Sequence, residues 1–201
     1  MNRKRIGIMG GTFDPIHNGH LLAADEACRA FDLSEVIFIP AGHPPHKDEK
    51  HISSAEQRYE MTLLATNGVS YFSVSKIEIL REGATRTVDT LKELKATTAY
   101  ENADFYFITG VDAIMSIGTW KSPEELVKLC KFVVTNRYGY SFDLLKKLPE
   151  YIQDAITTLE MPYIDISSTE IRERIENGEG VRFLLPHAVE SFIWKHALYR
   201  N

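Results

Sequence analysis

The chain has 201 residues, of which 44% are hydrophobic and 25% are charged, and its formal net charge is −5. This composition is typical of a globular protein that buries a core, and it argues against a disordered or fibrous chain. A net negative charge gives no general attraction for DNA or RNA, whose binding depends on neutralising phosphates. We therefore expect no nucleic-acid partner, and any anion site must come from a local group of donors.

The cysteines and the lengths of the apolar runs indicate the cellular compartment of the protein. Cys28 and Cys130 have no metal-ligand spacing, so we expect two reduced thiols and a cytoplasmic protein. No apolar run approaches the roughly 18 residues that a membrane helix needs. The apolar run at 6–9 is too short for the core of a signal peptide, so the sequence predicts no membrane partner.

Short runs of β-branched and aromatic residues alternate with helical patterns along the chain. The runs that predict strands are 6–9, 36–40, 72–80, 105–108, 132–135 and 162–166. Most of them are continuously apolar, which is typical of strands buried on both faces of a sheet.

Helix-start signals separate these runs. Serine followed by glutamate occurs at 53–56 (SSAE), at 122–125 (SPEE) and at 167–170 (SSTE), and Pro186 marks a fourth start. These signals predict helices over 55–66, from 123, over 168–177 and over 186–198, in addition to one beginning near Asn18. The alternation of strands and helices predicts a single α/β domain over residues 1–201, with a doubly wound parallel sheet covered by helices on both faces.

Ligands of open α/β sheets bind beyond the carboxyl ends of the strands. The segments that directly follow predicted strands are 10–20, 41–47, 109–112, 136–139 and 167–172. The polar segment 42–50 is rich in histidine and proline, and we expect it to form a loop over an opening.

The first of these segments reads GGTFDPIHNGH at 10–20. Gly10 and Gly11 let the backbone approach a phosphate, and a helix start near Asn18 offers free N–H groups. His17 and His20 are three residues apart and can share a helix face. The pattern is neither a Walker A loop nor G-x-G-x-x-G. It predicts an anion site; zinc binding by the two histidines is the alternative, but no third ligand is evident nearby.

The segment 166–172 reads ISSTEIR. Its hydroxyl groups lie at a predicted helix start, and Arg172 follows one turn later with a guanidinium suited to phosphate. The segment therefore predicts a second anion-binding group. An ordinary helix cap with a solvated arginine is the alternative.

Together these segments resemble the nicotinate-nucleotide adenylyltransferases of bacteria, which belong to the HxGH nucleotidyltransferase superfamily. The matching segments are GGTFDPIHNGH at 10–20, PPHK at 44–47, VDTL at 88–91, TGVDAI at 109–114, Trp120, Arg137 and ISSTEIR at 166–172. The resemblance implies a Rossmann-like fold and transfer of AMP from ATP to nicotinate mononucleotide in NAD biosynthesis. The products would be deamido-NAD and pyrophosphate, and Mg²⁺ would accompany ATP.

The resemblance also implies roles for individual residues. The catalytic residues would be His17, His20 and Arg172. ATP would contact Gly10, Gly11, Thr12, Phe13, Gly110, Asp112, Ile166, Ser168 and Thr169. The pyridine nucleotide would contact His46, Lys47, Thr87, Trp120, Lys121 and Arg137. The resemblance implies no protein-held metal site.

The sequence leaves alternatives for the pyridine pocket, the acceptor, the class of function and the oligomeric state. Arg86 precedes Thr87 where the family often has tyrosine, so the shape of the pyridine pocket is open. Related enzymes use phosphopantetheine, nicotinamide mononucleotide or flavin mononucleotide as acceptors, and these remain alternatives. A nucleotide-binding sensor without catalysis is the alternative from another class. The oligomeric state is also open, with a homodimer as one expectation.

Overall fold

The computed structural model describes residues 3–44 and 52–200. In this part of the chain, parallel strands form a six-stranded sheet in the order β3-β2-β1-β4-β5-β6. The strands are β1 (Arg5–Gly11), β2 (Glu35–Pro40), β3 (Phe72–Val74), β4 (Asp104–Gly110), β5 (Cys130–Thr135) and β6 (Ile156–Leu159). The predicted doubly wound parallel sheet is confirmed.

Helices cover both faces of this sheet, as the sequence predicts. They are α1 (Asn18–Ala30), α2 (Ala55–Thr66), α3 (Thr87–Ala96), α4 (Val111–Ile114), α5 (Pro123–Leu129), α6 (Glu150–Gln153), α7 (Ser168–Glu176) and α8 (His187–Lys195). Within the described residues, short 3-10 helices span Ile117–Thr119 and Phe142–Lys147. Helices α1, α2, α7 and α8 pack on one face, and α3 to α6 pack on the other. None of the described helices has the length and apolar character needed to cross a bilayer.

The continuous apolar runs follow from this three-layer arrangement. Along β4, Phe105 and Phe107 pack in the layer of α3 to α6, whereas Tyr106 and Ile108 pack in the layer of α1. Successive side chains of a strand point to opposite faces, so a strand covered on both faces must be apolar at every position.

In two of the three predicted serine caps, a serine hydroxyl accepts a hydrogen bond from a backbone N–H in the first turn of the helix. The Ser54 hydroxyl accepts a hydrogen bond from the Gln57 N–H at 3.2 Å, and the Gln57 side chain accepts from the Ser54 N–H at 3.0 Å. This capping box begins one residue later than the SSAE pattern predicts. The Ser167 hydroxyl caps α7 by accepting from the Glu170 N–H at 3.1 Å.

The prediction of a serine cap on α5 is wrong in its chemistry. Ser122 is the residue before the helix, but its φ is 53° and its hydroxyl makes no capping hydrogen bond. Pro123 occupies the first helical position, as predicted, because its missing N–H would have no partner there.

Two strand predictions also need correction. The predicted strand at 72–80 ends at Val74, and the one predicted at 162–166 does not form, because the edge strand is β6 (Ile156–Leu159) instead. Residues 162–165 are exposed, and Pro162 has no N–H to donate to a neighbouring strand. The segment 160–167 is therefore a loop that joins β6 to α7.

Candidate active site

The candidate site lies where the sheet changes its direction of winding. Strands β1 and β4 are neighbours at the centre, but β1 leads into α1 on one face and β4 leads into α4 on the other. Crevices at such points are the usual ligand sites of doubly wound sheets. A cavity of about 210 Å³ opens here, lined by Met9, Gly10, His17, Gly19, His20, Ala23, Ile108, Thr109, Gly110, Asp112, Ala113, Thr135, Asn136, Arg137, Met161, Ile164 and Ile166.

Two histidines stand at the start of α1 in the wall of this cavity. His17 is the residue before the helix and is 6% exposed, and His20 lies in the first turn. Their rings stack, with centroids 3.7 Å apart and planes inclined by 25°. The three-residue spacing thus brings both imidazoles together, as the sequence predicts for residues on one helix face.

The backbone fixes the tautomer of His20. The His17 N–H donates to Nδ1 of His20 at 3.2 Å, so that nitrogen carries no proton. The proton of a neutral His20 is therefore on Nε2. This leaves the Nε2–H as a donor that a ligand in the cavity can use.

Both imidazoles are neutral at physiological pH. Burial, together with the positive charge of Arg137, lowers the pKa of His17 to about 4. Burial lowers the pKa of His20 well below its usual range, and His17 and Arg137 lower it further. The pair consequently offers N–H donors to the cavity rather than two fixed cations.

An ion pair forms another part of the cavity wall. Nη1 of Arg137 lies 2.9 Å from Oδ2 of Asp112, which is in the short helix α4. Oδ1 of Asp112 is buried and has no hydrogen-bond partner among the residues that the structure describes. A Cβ on Gly110 would lie 2.5 Å from that oxygen, so a larger residue at this strand end would have to displace the Asp112 carboxylate.

Asn136 holds the apolar part of the wall. Its Nδ2 donates to the Met161 carbonyl at 2.9 Å, and its Oδ1 accepts from the Met161 N–H at 2.8 Å. This reciprocal pair ties the loop 160–167 to the end of β5, so that Met161, Ile164 and Ile166 line the cavity. The sequence places Asn136 in the segment 136–139 that follows a predicted strand, but it does not single out Asn136 as a site residue.

Gly11, Thr12 and Phe13 do not line the cavity, although Phe13 packs against His20. The Phe13 ring makes an edge contact with His20, with centroids 5.1 Å apart. A Cβ on Gly11 would lie 2.9 Å from Cε1 of Phe13, which is buried and has little room to move. Glycine at this position therefore allows the ring that packs against His20.

The ISSTEIR segment is tied to the glycine loop, but none of its polar side chains lines the first cavity. The Ser168 hydroxyl donates to the Pro15 carbonyl at 2.9 Å. Arg172 donates from Nη1 to the Asp14 carbonyl at 2.8 Å and from Nη2 to the Thr169 hydroxyl at 3.3 Å. Thr169 and Arg172 line a second cavity of about 640 Å³, whereas Ile166 lines the first.

The residues expected to bind the pyridine nucleotide fall in different places. Trp120 is half-buried in the layer of α3 to α6, with its ring 5.8 Å from that of Phe107 and its Nε1–H donating to the Ser116 hydroxyl at 3.2 Å. Thr87 opens α3, and Lys121 is exposed beside Trp120. Arg137 lines the first cavity. His46 and Lys47 lie outside the described residues.

Comparison with known families agrees with this geometry. A family model described as cytidylyltransferase-like matches residues 8–174. The doubly wound sheet, the cavity at its switch point and this match define the class of the protein, which is that of the nucleotidyltransferases.

Similar proteins narrow the class. A relative from Thermoanaerobacter sp. (strain X514), named as a probable nicotinate-nucleotide adenylyltransferase, is 47% identical over 98% of this chain and 95% of its own length. One of the same name from Moorella thermoacetica is 47% identical over 98% of this chain and 92% of its own length. The chain belongs to the nicotinate-nucleotide adenylyltransferase family.

Solved structures agree in fold. The Plasmodium falciparum nicotinic acid mononucleotide adenylyltransferase complexed with NaAD is similar with a TM-score of 0.80 and 25% identity, covering 98% of each chain. The same enzyme complexed with APC gives a TM-score of 0.77 over the same share of each chain.

Proposed function

We propose that this chain transfers AMP from ATP to nicotinate mononucleotide, forming deamido-NAD and pyrophosphate in NAD biosynthesis. The observation that carries the proposal is the stacked, neutral pair of His17 and His20 at a helix start, in a cavity at the switch point of the sheet. Helix starts favour anions, and the apolar wall of Met161, Ile164 and Ile166 suits a flat base. The two free, buried cysteines agree with a reducing cytoplasm.

The nucleophile is a phosphate oxygen of the mononucleotide. A phosphate monoester has a second pKa of about 6, so it is mostly dianionic at neutral pH and needs no general base. The oxygen attacks the α-phosphorus of ATP; this O–P bond forms while the bond to the β-phosphate oxygen breaks, and pyrophosphate leaves. The main barrier is the approach of two polyanions, so catalysis consists of positioning and charge stabilisation.

His20 supplies part of that stabilisation. Its Nε2–H, fixed by the hydrogen bond at Nδ1, can donate to a phosphate oxygen without a change of tautomer. Arg137 adds positive charge beside the pair. Negative charge from the bound triphosphate raises the pKa of His17, so that ring gains positive character only when the ligand is present, whereas the hydrogen bond at Nδ1 favours a neutral His20.

A divalent cation, Mg²⁺, would accompany ATP and neutralise phosphate charge. Among the described residues, no group of three histidine, cysteine or acidic side chains could cage a metal ion. Asp112 lines the cavity, but its Oδ2 pairs with Arg137 and its Oδ1 is buried, so we assign it to ATP rather than to the cation. Phosphate oxygens and water would therefore hold most of the coordination, as Mg²⁺ prefers.

The remaining residues divide between the two substrates. We assign Gly10, Gly110 and Ile166 to ATP in the first cavity, with Gly11, Thr12 and Phe13 supporting the loop. Ser168, Thr169 and Arg172 would take the β- and γ-phosphates. Trp120 would stack on the pyridine ring, with Thr87, Lys121, His46 and Lys47 around the acceptor. A Cβ on Gly10 would lie 3.5 Å from Phe107, which contacts Trp120, so the acceptor half would adjoin the end of β1.

Product analysis tests this function. The purified protein is incubated with ATP, Mg²⁺ and nicotinate mononucleotide, and the nucleotide products are separated and identified by mass spectrometry. We expect deamido-NAD, and no consumption of ATP when the acceptor is omitted. Formation of an adenylylated product only from phosphopantetheine, flavin mononucleotide or nicotinamide mononucleotide would contradict the assigned acceptor. Binding of ATP without any product would favour a sensor.

A further inference from the structure

Asp14 lies in the glycine loop and is completely buried, yet it does not line the candidate active site. Its Oδ1 accepts a hydrogen bond from the Tyr199 hydroxyl at 2.6 Å and from the Ser53 N–H at 3.3 Å. Its Oδ2 is buried and has no hydrogen-bond partner in the described part of the chain. A buried carboxylate with so few donors depends strongly on each of them.

A buried arginine beside Asp14 supports the same loop. Arg58 is 1% exposed and donates to the carbonyls of Ser53 at 3.1 Å, Thr12 at 2.8 Å and Gly42 at 3.2 Å. Burial lowers the pKa of Arg58, and the neighbouring Asp14 partly opposes this shift. The guanidinium is thus committed to backbone carbonyls, which leaves Tyr199 as the strongest donor to the Asp14 carboxylate.

Tyr199 reaches Asp14 from the segment that follows α8, 185 residues away along the chain. Its φ is 62°, and that of Ala197 is 50°, both in the left-handed region. This region costs a residue other than glycine about 1 kcal/mol or more, so other contacts must hold the segment in place. Burial and the Asp14 carboxylate raise the pKa of Tyr199, which keeps its hydroxyl protonated as a donor.

The glycine loop is therefore held at Asp14 from two directions. The side chain is bound by Tyr199, and the backbone carbonyl accepts from Nη1 of Arg172 at 2.8 Å. Three residues later, the N–H of His17 sets the tautomer of His20. A shift of the loop at Asp14 would consequently reach both imidazoles.

We propose that Tyr199 is a positioning residue for AMP transfer: its hydroxyl, acting through Asp14, holds the glycine loop so that His17 and His20 face the triphosphate. This inference rests on the proposed function for its kinetic test. The position of the loop can also be measured without any reaction.

The kinetic test compares Tyr199→Phe with Tyr71→Phe. The Tyr71 hydroxyl also donates to an aspartate, Asp25, at 2.5 Å, but this pair lies at the surface away from the cavity. We expect Tyr199→Phe to lower kcat by about 10- to 100-fold, as for a small misplacement of catalytic groups, and to change KM for ATP much less. Tyr71→Phe should retain the wild-type kcat. A wild-type kcat in folded Tyr199→Phe would overturn the proposal.

A spectroscopic readout separates positioning from general loss of stability. Nitrogen-15 NMR of the histidine rings, recorded well below the unfolding temperature, reports the tautomer of His20. We expect the Nε2–H form in the wild type and in Tyr71→Phe, and a mixture of tautomers in Tyr199→Phe. An unchanged His20 spectrum in Tyr199→Phe would overturn the proposal. If the wild-type protein forms no dinucleotide, the proposed function fails, and this spectrum still decides the role of Tyr199.

A double-mutant cycle tests whether Tyr199 acts through Asp14. Asp14→Asn removes the buried charge that Tyr199 stabilises, so the two changes should not add. We expect the kcat of the double variant to be no lower than the kcat of whichever single variant is less active. Losses that multiply would contradict an action through Asp14.

Discussion

His17 and His20 stack 3.7 Å apart as neutral rings, which is unusual for groups expected to meet a triphosphate. Two imidazolium ions at this distance would repel each other, and burial adds to the cost of charging either ring. The polyphosphate itself can supply the compensating charge. The free site therefore avoids a permanent cationic cluster and still offers oriented N–H donors to the ligand.

Removing one of these donors should affect the chemical step. We expect His20→Ala to lower kcat by about 10²-fold or more, because one preorganised donor to the phosphates is lost. Steady-state kinetics with saturating ATP and nicotinate mononucleotide measure this effect. The control is His187→Ala, whose side chain is 86% exposed. Near-normal turnover by His20→Ala would contradict the role assigned to His20.

The lowered pKa of His17 gives a separate prediction. In the free protein, the imidazole should titrate near pH 4 and show no protonation between pH 6 and pH 8. Adding an unreactive ATP analogue should raise this pKa, because the negative charge of the phosphates favours the imidazolium. Histidine NMR over a pH series measures both values. A pKa near 6.5 in the free protein would contradict the burial of the pair.

Sequence reasoning found the two histidines but not the residues that hold them. The i, i+3 spacing after two glycines is visible in the chain, so the pair could be predicted. Arg58 lies within a helix and Tyr199 near the chain end, where charged and polar side chains are usually solvated. The burial of Arg58 and the partial burial of Tyr199 depend on contacts across 46 and 185 residues with Thr12 and Asp14. A local sequence pattern cannot predict contacts between residues so far apart along the chain.

At the scale of elements, the central strands could be predicted and the edge could not. The apolar runs at 105–108 and 132–135 lie within β4 and β5, since burial on both faces requires them. The edge strand β6 (Ile156–Leu159) is short and partly exposed, so it lacks that signal. The loop that follows it is instead placed by the side chain of Asn136, which pairs with Met161 in the manner of a strand backbone.

Trp120 lies between the short 3-10 helix Ile117–Thr119 and α5, and we expect it to contact the pyridine nucleotide. If its ring stacks on the pyridine, Trp120→Ala should raise KM for nicotinate mononucleotide several-fold more than KM for ATP. An aromatic stacking contact contributes about 1 kcal/mol, and its loss corresponds to a several-fold increase in KM. The ring also packs against Phe107 and Phe132, so the unfolding temperature must be recorded alongside. Equal increases in both KM values would show that Trp120 stabilises the hydrophobic core and does not contact the pyridine ring.

For the whole molecule, the alternation of strands and helices is enough to predict the sheet and the carboxyl ends of the strands, where the candidate site lies. It could not predict which polar groups reach which cavity, because Arg172 and Ile166 come from one segment yet line different cavities. That division depends on how α7 packs against the glycine loop through Ser168 and Arg172.

The stability of the whole fold should depend on pH through Glu78. Burial raises the pKa of this carboxyl to about 7 against a usual 4.5, although the Thr90 hydroxyl and Arg81 oppose the shift and Glu93 adds to it. A raised pKa stabilises the folded state below the usual value, and this contribution is lost as the pH rises through about 7.

Glu78→Gln should therefore gain stability over the wild type as the pH increases. We expect similar free energies of unfolding at pH 5 and an advantage of up to about 3 kcal/mol for the variant at pH 8.5. Denaturant unfolding at both pH values measures the difference, and Glu93→Gln controls for loss of the ion pair with Arg81. An advantage that does not change with pH would contradict the raised pKa.

The most direct test of the account is the rate of pyrophosphate release from ATP and Mg²⁺, measured side by side with nicotinate mononucleotide and nicotinamide mononucleotide. We predict rapid release with the nicotinate form and much slower release with the nicotinamide form. Comparable release with both would keep AMP transfer to a pyridine nucleotide and contradict only the choice of acceptor. Release with neither, from protein shown to be folded, would contradict the central claim.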